Sequence, residues 1–443
     1  MTAEVPRSLL IAAPQSGAGK TTVTLALLRA LRHAGRRVVS AKSGPDYIDP
    51  KFHQASSGIP CINLDAWAMR TGQIGSLACS HAHDHEMLLI EGAMGLFDGA
   101  ADGKGSAGDL AACLGSPVVL VIDCAKQAQS VAALALGFRN FRPDVQLAGV
   151  ILNRVGSDRH RAMVETACAQ HLPDIPVIGA VRGSNVLSLP ERHLGLVQAG
   201  EHDALDGFLD QAAAIISDDV DLDRLIGLVH GGHNSAPLND TIYATTSILP
   251  LGRHIAVARD RAFAFAYPHV LEDWRRQGAV VSFFSPLADE TPDDQADAVY
   301  LPGGYPELHG ATLAGASKFK ASLMGLAGRN IPIYGECGGY MVLGKALIDG
   351  NGDRYDMLGL LPLVTSFADR RLHLGYRALS LTDATPFGPA GTVLRGHEFH
   401  YASTVSATGV SLGSMVSATG EKHGPAGLVD GSVFGSFFHM ICR

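Results

Sequence analysis

From Ser8 onward, short apolar runs alternate with longer stretches in which apolar residues recur every three or four positions. The runs Ser8–Ala13, Arg37–Lys42, Met87–Glu91, Val118–Asp123, Ala148–Asn153 and Val177–Val181 predict strands. Several are continuously apolar, as parallel strands covered on both faces must be. Helical spacing over Lys20–Ala34, Gln127–Phe138 and Arg159–His171 predicts helices between them. This alternation predicts an α/β domain built on a doubly wound parallel sheet. Around Val229–Pro250 the pattern lapses into Gly, His, Asn, Ser and Thr, which reads as a linker. A second alternation follows, with strands expected at His254–Arg259, Ala279–Phe284, Ala298–Leu301 and Ile331–Tyr334, then a strand-rich segment from Leu372 onward. The expected organisation is a domain over 1–230, a linker over 231–250 and a second α/β domain over 251–443.

Composition narrows the class. At 443 residues, 47% hydrophobic and 18% charged, the chain is long enough for two or three packed cores. The net charge of −8 and the lack of any Lys/Arg-dense run give no support to a nucleic-acid or anionic-membrane role. Seven cysteines without CxxC pairing point to reduced thiols, and no signal peptide or apolar run of membrane-spanning length occurs. A cytoplasmic protein is expected.

Chemistry concentrates at two places. Ala13–Thr22 (APQSGAGKTT) lies between a predicted strand and a predicted helix, the arrangement that aims backbone N–H groups at phosphates. Gly17, Gly19, Lys20, Thr21 and Thr22 are the expected ATP-binding residues, with Lys20 on the β/γ-phosphates and the Thr21 hydroxyl on Mg²⁺. Pro14 stands where the strict pattern has glycine, so the loop is a variant. Asp46, after the second strand, and Glu91, at the end of the third, are the expected carboxylate ligands of Mg²⁺. Asp49 and Asp98 orient substrate or cap turns, and Lys42 neutralises a phosphate or a substrate carboxylate or is a solvated loop lysine.

The second place is Gly335–Gly339 (GECGG), a small-x-nucleophile-x-small elbow that projects Cys337 from a strand–helix turn. The helix N-terminus is expected to favour thiolate, and His439 to act as base. Amides of the Gly303-Gly304 loop and of Gly338 are the expected oxyanion hole.

These segments resemble the class I glutamine amidotransferases, whose domain is flavodoxin-like. The whole chain resembles the cobyrinate and hydrogenobyrinate a,c-diamide synthases. The likeness rests on APQSGAGKTT, SGPDYIDP (43–50), EGAMGLFDG (91–99), GVILNRV (149–155), LPERHLGL (189–196), LPGGYPE (301–307), GECGGYMVLG (335–344), GHEFHY (396–401) and GSFFHM (435–440). It implies an N-terminal domain similar to dethiobiotin synthetase, adenine recognition by Asn153, and a substrate set that includes Lys42, Tyr47, Asp49 and Asp98. It also implies ATP- and Mg²⁺-dependent amidation of the a and c carboxylates of a corrin in cobalamin biosynthesis, with ammonia released from glutamine at a Cys337 thioester. Related amidases often pair, so a homodimer is among the expectations. Most class I domains carry Glu two residues after the histidine; here that position is Ile441. The departure implies a Cys–His dyad, or an orienting acid from elsewhere, and a slow glutaminase. In GHEFHY, Glu398 and His400 read as site architecture, with substrate contact the alternative.

Rival readings have less support. A partitioning-type P-loop ATPase carries a signature lysine where this chain has Gln15. Cobyric acid synthase lacks the GPDYIDP wording, and cell-wall precursor amidases split these functions between two chains.

Overall fold

The computed structural model describes residues 6–184, 187, 191–192, 195–196, 204–229 and 247–443. The chain divides into two compact units, Met1–Tyr243 and Ala244–Arg443. Most of the expected linker (231–250) and half of LPERHLGL fall outside the described residues.

The first unit contains β1 (Ser8–Ala12), β2 (Val38–Ser43), β3 (Ile62–Leu64), β4 (Met87–Glu91), β5 (Val118–Asp123), β6 (Leu147–Val155) and β7 (Val177–Arg182). They pair in the order β3-β2-β4-β1-β5-β6-β7, every pairing parallel. All residues of β1, β2 and β4 are buried, which is why β1 and β4 read as mainly apolar runs rather than alternating patterns. Helix α1 (Lys20–His33) packs Val23, Leu27, Ala30 and Leu31 against Leu9, Ile11, Leu89 and Val119 of the sheet. Each of the valine, leucine and isoleucine side chains contributes roughly 1.5–3 kcal/mol on full burial. Because β1 lies between β4 and β5, the strand order reverses there. The loop after β1 therefore opens into the crevice where open α/β sheets bind ligands.

In the second unit, Val280–Phe284, His254–Ala258, Ala298–Leu301, Ile333–Glu336 and Val433–Ser436 form a parallel sheet in that order, with Leu428–Asp430 antiparallel at one edge. The strand expected from Ile331 begins pairing at Ile333, because Pro332 has no N–H and offers only its carbonyl, to Val299 N at 2.9 Å. A five-stranded antiparallel sheet follows the order Lys422–Ala426, Gly413–Ser417, His373–Leu381, Val393–His400, Phe438–Cys442. Only Phe437 separates Val433–Ser436 from Phe438–Cys442, so the chain changes sheets within one residue. That crossing sets where His439 sits. Among the described residues, no helix is long and apolar enough to cross a membrane.

Candidate active sites

In the first unit the loop from Ala13 to Gly19 joins β1 to α1, and Gly17 and Gly19 have φ of 80° and 86°. Gly19 is needed twice over. Its conformation is left-handed, and a Cβ there would stand 2.3 Å from Asn153 Nδ2. Asn153 Nδ2 donates to Ala18 O at 2.9 Å, and its Oδ1 accepts from Arg154 N at 2.9 Å. The side chain that the resemblance assigned to adenine thus braces the phosphate loop. Thr22 lines a cavity together with Gly19, Asn153, Arg154 and Arg182.

Lys20 Nζ donates to Met94 O at 3.2 Å, and Thr21 Oγ1 donates to Glu91 Oε1 at 2.6 Å. Glu91 is fully buried and also meets Lys42 Nζ at 2.9 Å and His53 Nε2 at 2.6 Å. Lys42 Nζ donates to Asp49 as well, and Asp46 Oδ2 is 3.8 Å away. Burial opposes the Lys42 charge, but Asp49, Glu91 and Asp46 outweigh it and raise its pKa far above the ordinary value. Burial likewise opposes Glu91, yet Lys42 and His53 keep it ionised. Burial and the Asp46 charge push Asp49 up to about 7. Burial and the neighbouring Lys42 lower Lys20.

Two of the expected acidic site residues have local duties. Asp46 Oδ1 accepts from the N–H of Ile48 (2.8 Å) and Asp49 (3.0 Å), and Asp98 Oδ2 accepts from Gly95 N at 3.1 Å. The Asp98 bond closes the turn Gly95–Asp98. Tyr47 is buried beside them. Among the described residues no group of three His, Cys, Asp or Glu side chains is arranged to hold a metal ion. The oxygens of Thr21, Glu91 and Asp46 nonetheless suit Mg²⁺, which in phosphate sites takes one or two carboxylates and completes its shell with phosphate and water.

In the second unit Cys337 has φ 48° and ψ −102°, the strained turn of a nucleophile elbow, between Ile333–Glu336 and the helical turn Gly338–Leu343. Its N–H donates to Ser436 O at 2.8 Å, tying the elbow to the strand that leads into His439. Gly303 marks where the parts meet. A Cβ on it would lie 2.8 Å from His439 Cε1 and 3.4 Å from Cys337 Cβ. A Cβ on Gly338 would stand 3.0 Å from Gly304 N, so the two expected oxyanion donors border the same space.

The thiol donates weakly to Phe399 O at 3.8 Å. Burial pushes the Cys337 thiol well above its ordinary value, with Glu336 and Glu307 adding to the rise and the Gly338 N–H opposing it. Burial and the neighbouring His400 lower His439 to about 3. The resting pair is therefore neutral. The helix N-terminus does not win the thiolate that the sequence alone suggested, because desolvation and the nearby carboxylates outweigh one N–H.

An acid does face the histidine, though not the one absent at 441. Glu336 Oε1 lies 3.4 Å from His439 Nδ1, and both side chains are 1% exposed. Glu336 accepts from Tyr300 OH (3.2 Å), Tyr334 OH (3.3 Å) and Met440 N (3.1 Å). Burial pushes its carboxyl up to about 8 against these donors. His397, paired with His439 across the strands, stacks on it with ring centroids 4.8 Å apart and meets Tyr267 OH at 2.9 Å. Glu398 takes Arg377 Nε at 2.8 Å, and His400 stacks on Phe437 at 3.9 Å.

Glu336, His397 and His53 are the side chains that sequence reasoning missed. A usable signal existed for Glu336, an acid on a buried strand next to the nucleophile, which must find partners inside. His53 carries no such signal.

Residues 254–443 match the CobB/CobQ-like glutamine amidotransferase domain, and residues 9–197 the CobQ/CobB/MinD/ParA nucleotide binding domain. A hydrogenobyrinate a,c-diamide synthase of Brucella suis biovar 1 is 54% identical over 437 residues, covering 98% of both chains. That of Rhizobium meliloti is also 54% identical, with 98% of both chains covered. The Mesorhizobium japonicum protein of that name is 48% identical, with 99% of both covered.

Proposed function

This chain belongs to the hydrogenobyrinate a,c-diamide synthases, a group of glutamine-dependent ligases, and from that premise we propose how its residues divide the amidation. Supporting the division is the presence of two separately built sites, a phosphate loop bordered by carboxylates and a cysteine elbow meeting a histidine at Gly303. In the second unit His439 takes the thiol proton as Cys337 Sγ attacks the glutamine carboxamide. The amides of Gly304 and Gly338 receive the developing oxyanion. The same proton leaves with ammonia, and water hydrolyses the thioester to glutamate.

In the first unit a corrin carboxylate attacks the γ-phosphorus of ATP, giving an acyl phosphate and ADP. Ammonia then adds to the acyl carbon and phosphate departs, once for the a and once for the c carboxylate. Lys20 and the loop amides bind the phosphates, while Lys42, oriented by Asp49, holds the carboxylate end of the substrate and Tyr47 borders it. Mg²⁺, held by Thr21, Glu91 and Asp46, would neutralise charge on the transferring phosphoryl group.

Purified protein given ATP, Mg²⁺ and glutamine should amidate hydrogenobyrinate twice, with ADP, phosphate and glutamate rising in step. A parallel assay on cobyrinate decides the metal state of the corrin. Turnover of neither corrin overturns the reading.

Glu336 is assigned as the residue that positions His439. Its ionised form holds the Nδ1–H and offsets the imidazolium charge formed during attack. Because the carboxyl titrates near 8, glutamine hydrolysis should rise as pH passes upward through that value. Glu336→Gln should lower kcat for glutamine about a hundred-fold, leave KM nearly constant and flatten that rise. A wild-type pH profile in the Gln variant would remove Glu336 from the mechanism.

A further inference from the structure

The loop that carries the oxyanion donors also carries a charge that nothing described so far uses. Glu307 follows Leu301–Pro306, and its Oε2 is buried with no hydrogen-bond partner among the described residues. Arg370 is near enough for its charge to be felt, but no ion pair joins the two among the described residues. A buried carboxylate oxygen left without a donor is costly, and such atoms in folded proteins call for an explanation.

Its place supplies one. Pro306, the preceding residue, has its Cδ 3.0 Å from where a Cβ on Gly338 would stand, so Glu307 begins where the elbow ends. The carboxylate is also close enough to add to the rise of the Cys337 thiol. Burial pushes the Glu307 carboxyl itself up to about 7, the behaviour of an acid lacking its counter-charge.

We infer that Glu307 receives the α-ammonium group of glutamine when the carboxamide lies at Cys337. This rests on the glutaminase assignment above and specifies how that site selects its substrate. When the carboxamide carbon faces Sγ and its oxygen faces Gly304 and Gly338, the α-ammonium is the only cation the substrate carries. A charge-assisted hydrogen bond in a desolvated pocket rewards an amide that has it and disfavours one that lacks it. The carboxylate left unpartnered without substrate is what makes that difference large.

The test compares glutamine with glutaramate, which has the same carboxamide and carboxylate but no α-amino group. Wild-type enzyme should prefer glutamine by at least about tenfold in kcat/KM, the worth of one charge-assisted bond. In Glu307→Gln that preference should collapse through a higher KM for glutamine, with ammonium-driven synthesis by the same preparation reporting that the chain is folded. Wild-type indifference to the α-amino group overturns the inference, whether or not the variant folds. Equal losses on both amides, or an unaltered preference in the variant, overturn it too. If the wild type hydrolyses no glutamine at all, the glutaminase assignment fails instead.

Discussion

Cys337→Ala is expected to abolish glutamine-dependent synthesis, by more than about a thousand-fold, while synthesis from added ammonium persists. Sγ is the atom that forms the thioester, and no other group near Gly303 can replace it: His439 is a neutral base and Glu336 is held by three donors. The cost to the fold should be small. The substitution removes one buried sulfur held only by weak contacts, the long one to Phe399 O and that of the Gly338 N–H, and the strained backbone is anchored independently by Ser436 O. Carboxylate activation needs ammonia but not its source, so ammonium at high concentration and alkaline pH should bypass the missing thiol. Measuring corrin amidation with each nitrogen donor separates the outcomes. Failure of ammonium to rescue would mean that Cys337 serves the synthetase chemistry or the fold rather than glutamine hydrolysis.

The parts of this molecule that were legible in the sequence are those fixed by local rules. Met87–Glu91 and Val118–Asp123 were readable as strands because burial on both faces writes a continuous apolar run. Ile62–Leu64 was not, since three residues are too few to show a pattern. The helix expected from Gln127 starts at Ser130, because Gln127 is engaged in a turn, its N–H on Cys124 O and its side chain on Asp123 O. The phosphate loop and the cysteine elbow were visible because each needs glycines at fixed offsets from a reactive residue.

Partner choice across the sheet was not legible. Glu336 meets His439 only because the chain changes sheets at Phe437, and no local spacing encodes that crossing. His53 reaches Glu91 from a helix 38 residues earlier, a contact set by how Asp49–Ser57 packs on β2. Nor does a motif disclose its own electrostatics. The glycines around Cys337 predict exposure of the thiol to a helix terminus, whereas burial beside Glu336 and Glu307 decides the protonation state.

Lys20→Ala should abolish synthesis from both nitrogen donors, by about a hundred- to a thousand-fold, the range for removing one preorganised charge from a transition state. The argument starts from what Lys20 does in the folded chain. Its ammonium is buried, close enough to Lys42 to be lowered by it, and held by Met94 O on the loop that follows Glu91. Burial and the Lys42 charge together lower Lys20, and Glu91, Asp49 and Asp46 are not enough to restore it to its ordinary value. Polyphosphate supplies that missing negative charge, so ATP should bind where the repulsion is strongest and charge transfer should be felt most by Lys20. Alanine removes the repulsion along with the cation, so the variant should fold at least as stably as the wild type while losing phosphoryl transfer. Thermal unfolding together with acyl-phosphate-dependent ADP release, with ammonium as donor, distinguishes the cases. Glutamine hydrolysis without corrin need not fall in parallel, since Cys337 and His439 belong to the other unit. Normal ammonium-driven synthesis by Lys20→Ala would refute the phosphate role, whereas loss of ADP release by a protein that unfolds like the wild type would place Lys20 in the transfer step itself.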